Sequence, residues 1–563
     1  MVPGARHPAL LAALEGLGEQ VAELRLPLDV PGAAAARTMR RETADQLTDY
    51  VLPRLRRLDA PLLAVVGGPT GAGKSTLVNS LVGARISAAG VLRPTTRSAV
   101  LAHHPTDQVW FEEPRILPRL TRTTTSSSNP TELQLVPSAG IPAGLAVLDA
   151  PDIDSVVTRN RELATQLLAA ADMWLFVTTA ARYADAVPWE FLRIAVTRGT
   201  AVAVLLDRVP PEAVDEVRGH LAAMLTDQGL GGAPLFVVPE TTTYDALLTP
   251  AVVDPVRSWL HNLAADADTR AAVVRHTLDG AVRSLAARVF TLAAAVDEQA
   301  DAVRRLRKEV DAAYDDALQH VSEASGDGSL LRGEVLARWQ EFVGTGEMMR
   351  ALESKVSRVR DRVTAAVAGR PAPGKDLAQA LESGVEALVR SASDTAADRA
   401  GSAWSADPAG AQLLDGDDLR RSSPGLAEAT AREVREWQAA VLELVRTQAQ
   451  GKRSAARYLA FGVNGLGLMV MIVVFAHTGG LVAGEVAVAT GASALSQKVL
   501  EAVLGDQAVR SLAEQARRDL EQRVARLLEG ERARFTSRLD EVPVLEDAGA
   551  ALRAAVQDVE DAS

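Results

Sequence analysis

The chain has 563 residues, too many for one hydrophobic core, so two to four domains are expected. Hydrophobic residues make up 47% and aromatics only 4%, with alanine abundant, a balance that favours long helices over β-sandwiches. A net charge of −12 argues against a nucleic-acid partner, and the lack of cysteine excludes disulfides and thiolate metal sites and fits a reducing compartment.

Residues 1–30 have no basic stretch leading into a clean apolar run, so no signal peptide is expected. Leu10, Leu14, Leu17, Val21 and Leu24 recur at spacings of four and three, an apolar stripe on one helix. A second helix is expected from Thr38 to Leu58, interrupted near Pro53. Residues 1–60 form either a short cap or helices that join a bundle made mostly by later sequence, since one amphipathic helix cannot bury its own stripe.

From residue 61 to 263 strands and helices alternate, which implies βαβ units and an α/β domain with a largely parallel sheet covered on both faces. Strands are expected at Leu62–Val66, Ser98–His103, Leu133–Val136, Leu145–Asp149, Met173–Thr179, Ala201–Leu206 and Leu235–Val238. At its start, Gly68-Pro69-Thr70-Gly71-Ala72-Gly73-Lys74-Ser75 fits G-x-x-x-x-G-K-[ST] at every fixed position and is followed by Thr76 and a helix-forming run. Glycines let backbone N–H groups reach phosphate oxygens, Lys74 adds a point charge for the β/γ-phosphates, Ser75 is a ligand for Mg²⁺, and a helix N-terminus contributes its positive end.

Three later stretches complete the expected nucleotide site. In Arg93-Pro94-Thr95-Thr96-Arg97, Thr96 is the first choice, and Thr95 the second, for the threonine that closes the Mg²⁺ shell and faces the attacking water. The strand ending in Asp149-Ala150-Pro151-Asp152 supplies a carboxylate, Asp149, for Mg²⁺. Asp152 stands where a γ-phosphate-sensing glycine is usual, and Ile153 where a water-orienting glutamine is usual. After the strand at 201–206, Asp207 and Arg208 are placed to bond and stack on the base, but Pro210 replaces the carboxylate that would read guanine.

Beyond residue 263 the pattern is helical, with Leu285, Val289, Leu292, Val296, Val303, Leu306, Val310 and Val321 in one stripe and a polar, Gly/Pro-punctuated stretch from Gly401 to Gly425. Tyr458 to Gly484 contains no Asp, Glu, Lys or Arg, and a second, weaker apolar segment follows to Leu495. With Lys452, Arg453 and Arg457 before it and Lys498 after it, residues 451–498 are expected to insert in a membrane as a hairpin; the competing expectation is a buried hairpin inside a helical bundle. The last segment places Leu512, Leu520, Val524, Leu527, Phe535 and Leu539 on a core face.

On GGPTGAGKST, RPTTR, DAPD and the order of α/β domain, long helices, apolar hairpin and charged helix, the chain resembles the dynamin-like GTPase family in its bacterial, membrane-anchored form. At the level of motifs the resemblance covers residues 61–240; beyond them it is one of layout. It implies GTP as substrate, Mg²⁺ as cofactor, and a domain plan of 1–60 joining the bundle, 61–263 GTPase, 264–450 bundle, 451–498 membrane hairpin and 499–563 returning helix. It also implies a lipid membrane, a second copy or a paralogous dynamin-like chain as partners, and a place on the cytoplasmic side of the cell membrane with both termini in the cytoplasm. In that setting Arg93 or Arg97 would act on a facing copy. Thr70 and Gly71 depart from the Gln and Ser that many dynamins carry. The alternative function is a membrane-anchored nucleotide-binding scaffold with little hydrolysis and relaxed base choice.

Overall fold

The computed structural model describes residues 6–563 except 88–97, 114–115, 118–119, 128, 155–157, 242–244, 246, 328, 332–333, 336, 339–372, 415–417, 450–454, 477–495, 498–499 and 502–503. It divides into two compact units, one made of Met1–Leu26, Gly32–Glu298 and Leu545–Ser563, the other of Pro27–Pro31 and Gln299–Val544. The division falls inside one long helix, α10 (Ala267–Gly326), and the N- and C-terminal helices group with the sheet.

The first unit is built on an eight-stranded sheet: β1 (Leu62–Gly67), β2 (Ala99–His103), β3 (Thr121–Thr123), β4 (Glu132–Pro137), β5 (Leu145–Asp149), β6 (Met173–Thr179), β7 (Ala201–Val209) and β8 (Leu235–Pro239), in the order β3-β4-β2-β5-β1-β6-β7-β8. All neighbours run parallel except β2 against β5, where Val100 faces Asp149. Every residue of β1, β5 and β6 is buried, as continuous Leu/Val/Ala runs require when both sheet faces are covered. The seven expected strands are present; β3, three residues with no apolar run, is additional. Helices α4 (Lys74–Val82), α5 (Val109–Glu112), α6 (Thr158–Ala169), α7 (Ala186–Arg198), α8 (Val214–Asp227) and α9 (Pro250–Ala265) lie between or after the strands.

In the same unit, α1 (Arg6–Glu23) buries Leu14, Leu17 and Val21 against Leu285, Val289 and Leu292 of α10 and Leu552 and Val556 of the C-terminal helix, Ala548–Ala562. The second N-terminal helix starts earlier than expected, as α2 (Ala33–Gln46), and passes through a π turn at Leu47–Val51 into α3 (Leu52–Arg56). The wider turn accommodates Pro53, whose missing N–H would break a regular ladder.

The second unit is helical: the end of α10, α11 (Pro373–Ala406), α12 (Pro408–Leu413), α13 (Leu426–Ala449), α14 (Ala455–Ala476) and α15 (Asp506–Asp540). Gly401 lies inside α11, so the expected break there is shorter than its composition suggested. Trp404 stacks edge-on against Phe535 at 5.2 Å, and Trp437 donates from Nε1 to the Ala516 carbonyl at 2.8 Å. Leu528, not Leu527, occupies the core face of α15.

The membrane expectation for 451–498 needs correction where the structure describes it. Leu466 and residues 468–475 of α14 are buried among the helices of this unit. Phe475 packs on Trp437 at 5.6 Å, and a Cβ on Gly467 would come within 2.3 Å of Leu442 Cδ2. Among the described residues, no helix is long and apolar enough to cross a membrane. The described part of the first apolar segment, residues 465–475, therefore packs against protein, as in the buried-hairpin expectation; residues 477–495 lie outside the described residues.

Candidate phosphate-binding site

The loop between β1 and α4 leaves the carboxyl end of a central parallel strand, where α/β sheets bind ligands. Two of its glycines are obligatory. Gly68 has φ 151°, and a Cβ there would lie 2.0 Å from the Val177 carbonyl oxygen; Gly73 has φ 94°, and its Cβ would lie 2.4 Å from Asp207 Oδ2. At these two positions the loop thus lies against Val177 of β6 and Asp207 of β7 with no room for a side chain. Ala72 is fully buried, and its N–H donates to the Pro69 carbonyl at 3.1 Å, which tightens the loop. Thr76 lies in the first turn of α4, and its carbonyl accepts from Ser80 Oγ at 2.6 Å.

Lys74 is only 5% exposed. Its Nζ donates to the carbonyls of Gly68 at 2.9 Å and Pro69 at 3.0 Å and pairs with Asp152 Oδ1 at 2.5 Å. The structure therefore brings the expected lysine and Asp152 together as an ion pair. Ile153 is buried, and its N–H donates to the Gly68 carbonyl at 3.4 Å. Its side chain offers no group to orient water.

Asp149 ends β5 fully buried. Its Oδ2 accepts from Ser75 Oγ at 2.7 Å and from Ser87 Oγ at 2.5 Å, while Oδ1 is buried without a hydrogen-bond partner among the described residues. Burial pushes its carboxyl above the usual range, against the hydrogen bonds from both serines and the Lys74 charge. An orphaned buried carboxylate oxygen beside a hydroxyl suits a hard divalent cation, so Ser75 and Asp149 fit Mg²⁺. Among the described residues no group of three or more His, Asp or Glu could hold a metal, so such an ion would need phosphate oxygens as further ligands.

Asp207 and Arg208 lie beside the same loop at a register irregularity of β7. Arg208 takes φ 53° and donates from Nη2 to the Gly71 carbonyl. Asp207 is 7% exposed, and burial raises its carboxyl above the ordinary value despite the Arg208 charge. Both therefore contact the phosphate loop itself. Pro210 follows β7 and leads into a short turn, Pro211–Ala213. Thr95, Thr96, Arg93 and Arg97 lie outside the described residues.

Four contributors were not read from the sequence. Asn79 Oδ1 accepts the N–H groups of Ile86 and Ser87, both at 2.9 Å, and so holds Ser87 at Asp149. Asp154 Oδ1 accepts the Thr70 N–H and hydroxyl, both at 2.6 Å. Arg182 reaches Asp154 Oδ2 at 2.7 Å and the Thr70 carbonyl at 3.0 Å. Although burial alone would raise it, the Thr70 and Arg182 hydrogen bonds hold the Asp154 carboxyl below its ordinary value. Asp154 was visible only as a third acid in DAPDID, and Arg182 had no local signal, being 112 residues from Thr70.

No protein-family model matches the chain, and no curated protein does. Along nearly its whole length the chain is similar to two solved structures of an oligomerised bacterial dynamin pair described as a mechanism for long-range sensing and tethering of membranes. One has a TM-score of 0.40 and 8% identity, covering 99% of this chain and 96% of that one; the other has 0.37 and 9%, covering 93% and 95%.

Proposed function

We propose that the chain is a Mg²⁺-dependent nucleoside triphosphatase of the dynamin-like type, with GTP as substrate, that self-associates at the cytoplasmic face of the cell membrane and remodels or tethers it. The observation that carries this reading is the buried Lys74 within a glycine loop that closes on α4, beside the Ser75–Asp149 pair. The loop's N–H groups and Lys74 would bind the β/γ-phosphates, and Ser75 and Asp149 would hold the cation that neutralises phosphate charge. Thr96, or Thr95, would face the attacking water. The assignment of residues 61–263 as the catalytic domain belongs to the same proposal.

A second reading, a nucleotide-binding scaffold with little turnover, is favoured by the apolar, buried Ile153 and by Pro210. Turnover of GTP and of ATP, with and without liposomes and over a range of protein density, separates the two. Turnover that rises with density on liposomes supports the enzyme; nucleotide binding with turnover flat and negligible supports the scaffold. Because Pro210 has no side-chain carboxylate to accept both guanine N–H groups, the GTP:ATP affinity ratio is expected below about a thousand, or roughly 4 kcal/mol.

A further inference from the structure

Two carboxylates from the segment after β5 lie on the phosphate loop. Asp152 pairs with Lys74 at 2.5 Å, and Asp154 bonds the N–H and hydroxyl of Thr70 at 2.6 Å each. Both therefore stand as anions on the donors that a phosphate would need. A second cation is tied into this arrangement. Arg182 follows β6, anchored by its own N–H to the Thr179 carbonyl at 2.9 Å. Its guanidinium reaches Asp154 Oδ2 at 2.7 Å through Nη2, the Thr70 carbonyl at 3.0 Å through Nη1, and Asp185 Oδ2 at 2.8 Å through Nε. The Arg182 side chain is 33% exposed, against 5% for Lys74, so a ligand entering the loop can reach it.

We propose that Arg182 is the in-chain charge donor for phosphoryl transfer, retained by Asp154 until a bound triphosphate displaces the carboxylates at 152 and 154. This rests on the triphosphatase reading above. Lys74 is shared between Asp152 and any incoming phosphate, and two anions on one ammonium repel each other. Phosphate entry therefore expels Asp152. Asp154, two residues further along the same segment, is drawn away with it. Arg182 then loses its Asp154 partner but keeps Asp185 and the Thr70 carbonyl, which hold the guanidinium at the third residue of the loop with Nη2 released. In the reaction, a water oxygen forms a bond to the γ-phosphorus while the bond to the β-phosphate oxygen breaks. The electron pair leaves with the diphosphate, and the water proton ends on the released phosphate. Arg182 stays protonated throughout and stabilises the charge spread over the transferring oxygens. A group of this kind contributes on the order of 10³-fold or more to turnover.

The test uses the full chain and its Arg182→Ala, Arg182→Lys and Asp154→Asn variants, with GTP and ATP each. Single-turnover rates are measured together with diphosphate affinity in the absence and presence of aluminium fluoride. For Arg182→Ala the expected result is a rate lowered by about 10²-fold or more, diphosphate affinity within about threefold of wild type, and loss of the fluoride-dependent tightening. Arg182→Lys, which keeps charge but not the planar fork, should recover at most about a tenth of the rate. Asp154→Asn should turn over faster than wild type, because the retainer is gone. The proposal is overturned if Arg182→Ala keeps its rate, if diphosphate affinity falls in step with rate, or if Asp154→Asn loses as much as Arg182→Ala; the last two would make the pair a brace for the loop. A wild-type chain that binds neither diphosphate would overturn the triphosphatase reading itself. A nucleotide-hydrolysing wild type indifferent to Arg182→Ala would overturn this inference alone.

Discussion

Lys74 and Asp152 form an ion pair 2.5 Å long, so the loop's lysine is neutralised by a carboxylate of its own chain. A triphosphate has to compete with that carboxylate. Asp152→Asn should therefore raise triphosphate affinity by about tenfold, or roughly 1.4 kcal/mol, whereas Lys74→Ala should abolish binding. Calorimetric titration of both variants checks the pair of outcomes, and a weaker-binding Asp152→Asn would mean that Asp152 supports the bound state instead.

Gly68 and Gly83 both take positive φ, yet only Gly68 is enclosed. A Cβ on Gly68 meets a backbone carbonyl of β6 at 2.0 Å, while one on Gly83 meets nothing within 4 Å. Gly68→Ala should lower unfolding free energy by about 3 kcal/mol or more, because a strand must shift, and Gly83→Ala by only about 1 kcal/mol from backbone strain. Urea titration of the two variants measures the contrast.

Asp172, just before β6, is buried with Arg54 Nη2 at 2.8 Å, the Leu63 N–H at 2.8 Å and the Tyr50 hydroxyl at 3.2 Å. Burial raises its carboxyl above the ordinary value, and the Arg54 charge opposes that rise. Arg54→Ala leaves a buried charge unpaired and should cost about 3–5 kcal/mol. A carboxyl with a raised folded pKa holds its proton more tightly when folded than when unfolded. Its contribution is thus largest below the ordinary Asp value and declines as pH rises through the raised one. Losing Arg54 raises that value further, so the variant's stability should fall more steeply than wild type as pH rises above about 4. Denaturant midpoints across acidic to neutral pH read this out, and parallel curves would contradict it.

Leu466 on α14 is fully buried within its helical unit. Leu466→Ala should lower the unfolding free energy by about 2–5 kcal/mol in detergent-free buffer, with an unchanged urea slope. An unaffected midpoint would show that this helix has no protein packing to lose.

Much of the α/β domain was legible because its signals are local. The helix at Lys74–Val82 is bracketed by Gly73 and Gly83, both left-handed, and the buried strands are uninterrupted apolar runs. β3 was not legible, since three residues of Thr-Arg-Thr carry no period. The Arg182 clamp was invisible for a different reason: its partners are set by which strands are neighbours, and β6 lies beside β1 only after folding. The apolar run at 458–484 was read for its length, but a helix inside a bundle and a helix in lipid need the same residues. Only the packing of Phe475 on Trp437 and of Gly467 on Leu442 distinguishes them where the structure is described.

The carboxylate of Asp172 also bears on how the chain is made. Its side chain joins Tyr50 and Arg54 to the start of β6, its N–H donates to the Leu63 carbonyl at 3.0 Å, and its own carbonyl accepts from Thr277 Oγ1 at 2.8 Å. The Arg54 and Thr277 contacts span 118 and 105 residues of sequence. A ribosome-bound chain that has emerged only as far as β8 carries the acid and its arginine but not the threonine, and the Ala201 N–H on the neighbouring strand then lacks its 3.2 Å acceptor as well. The hydrogen bonds of the Asp172 carbonyl and the Ala201 N–H at this end of the sheet are thus completed only once α10 has been synthesised, after every strand has emerged.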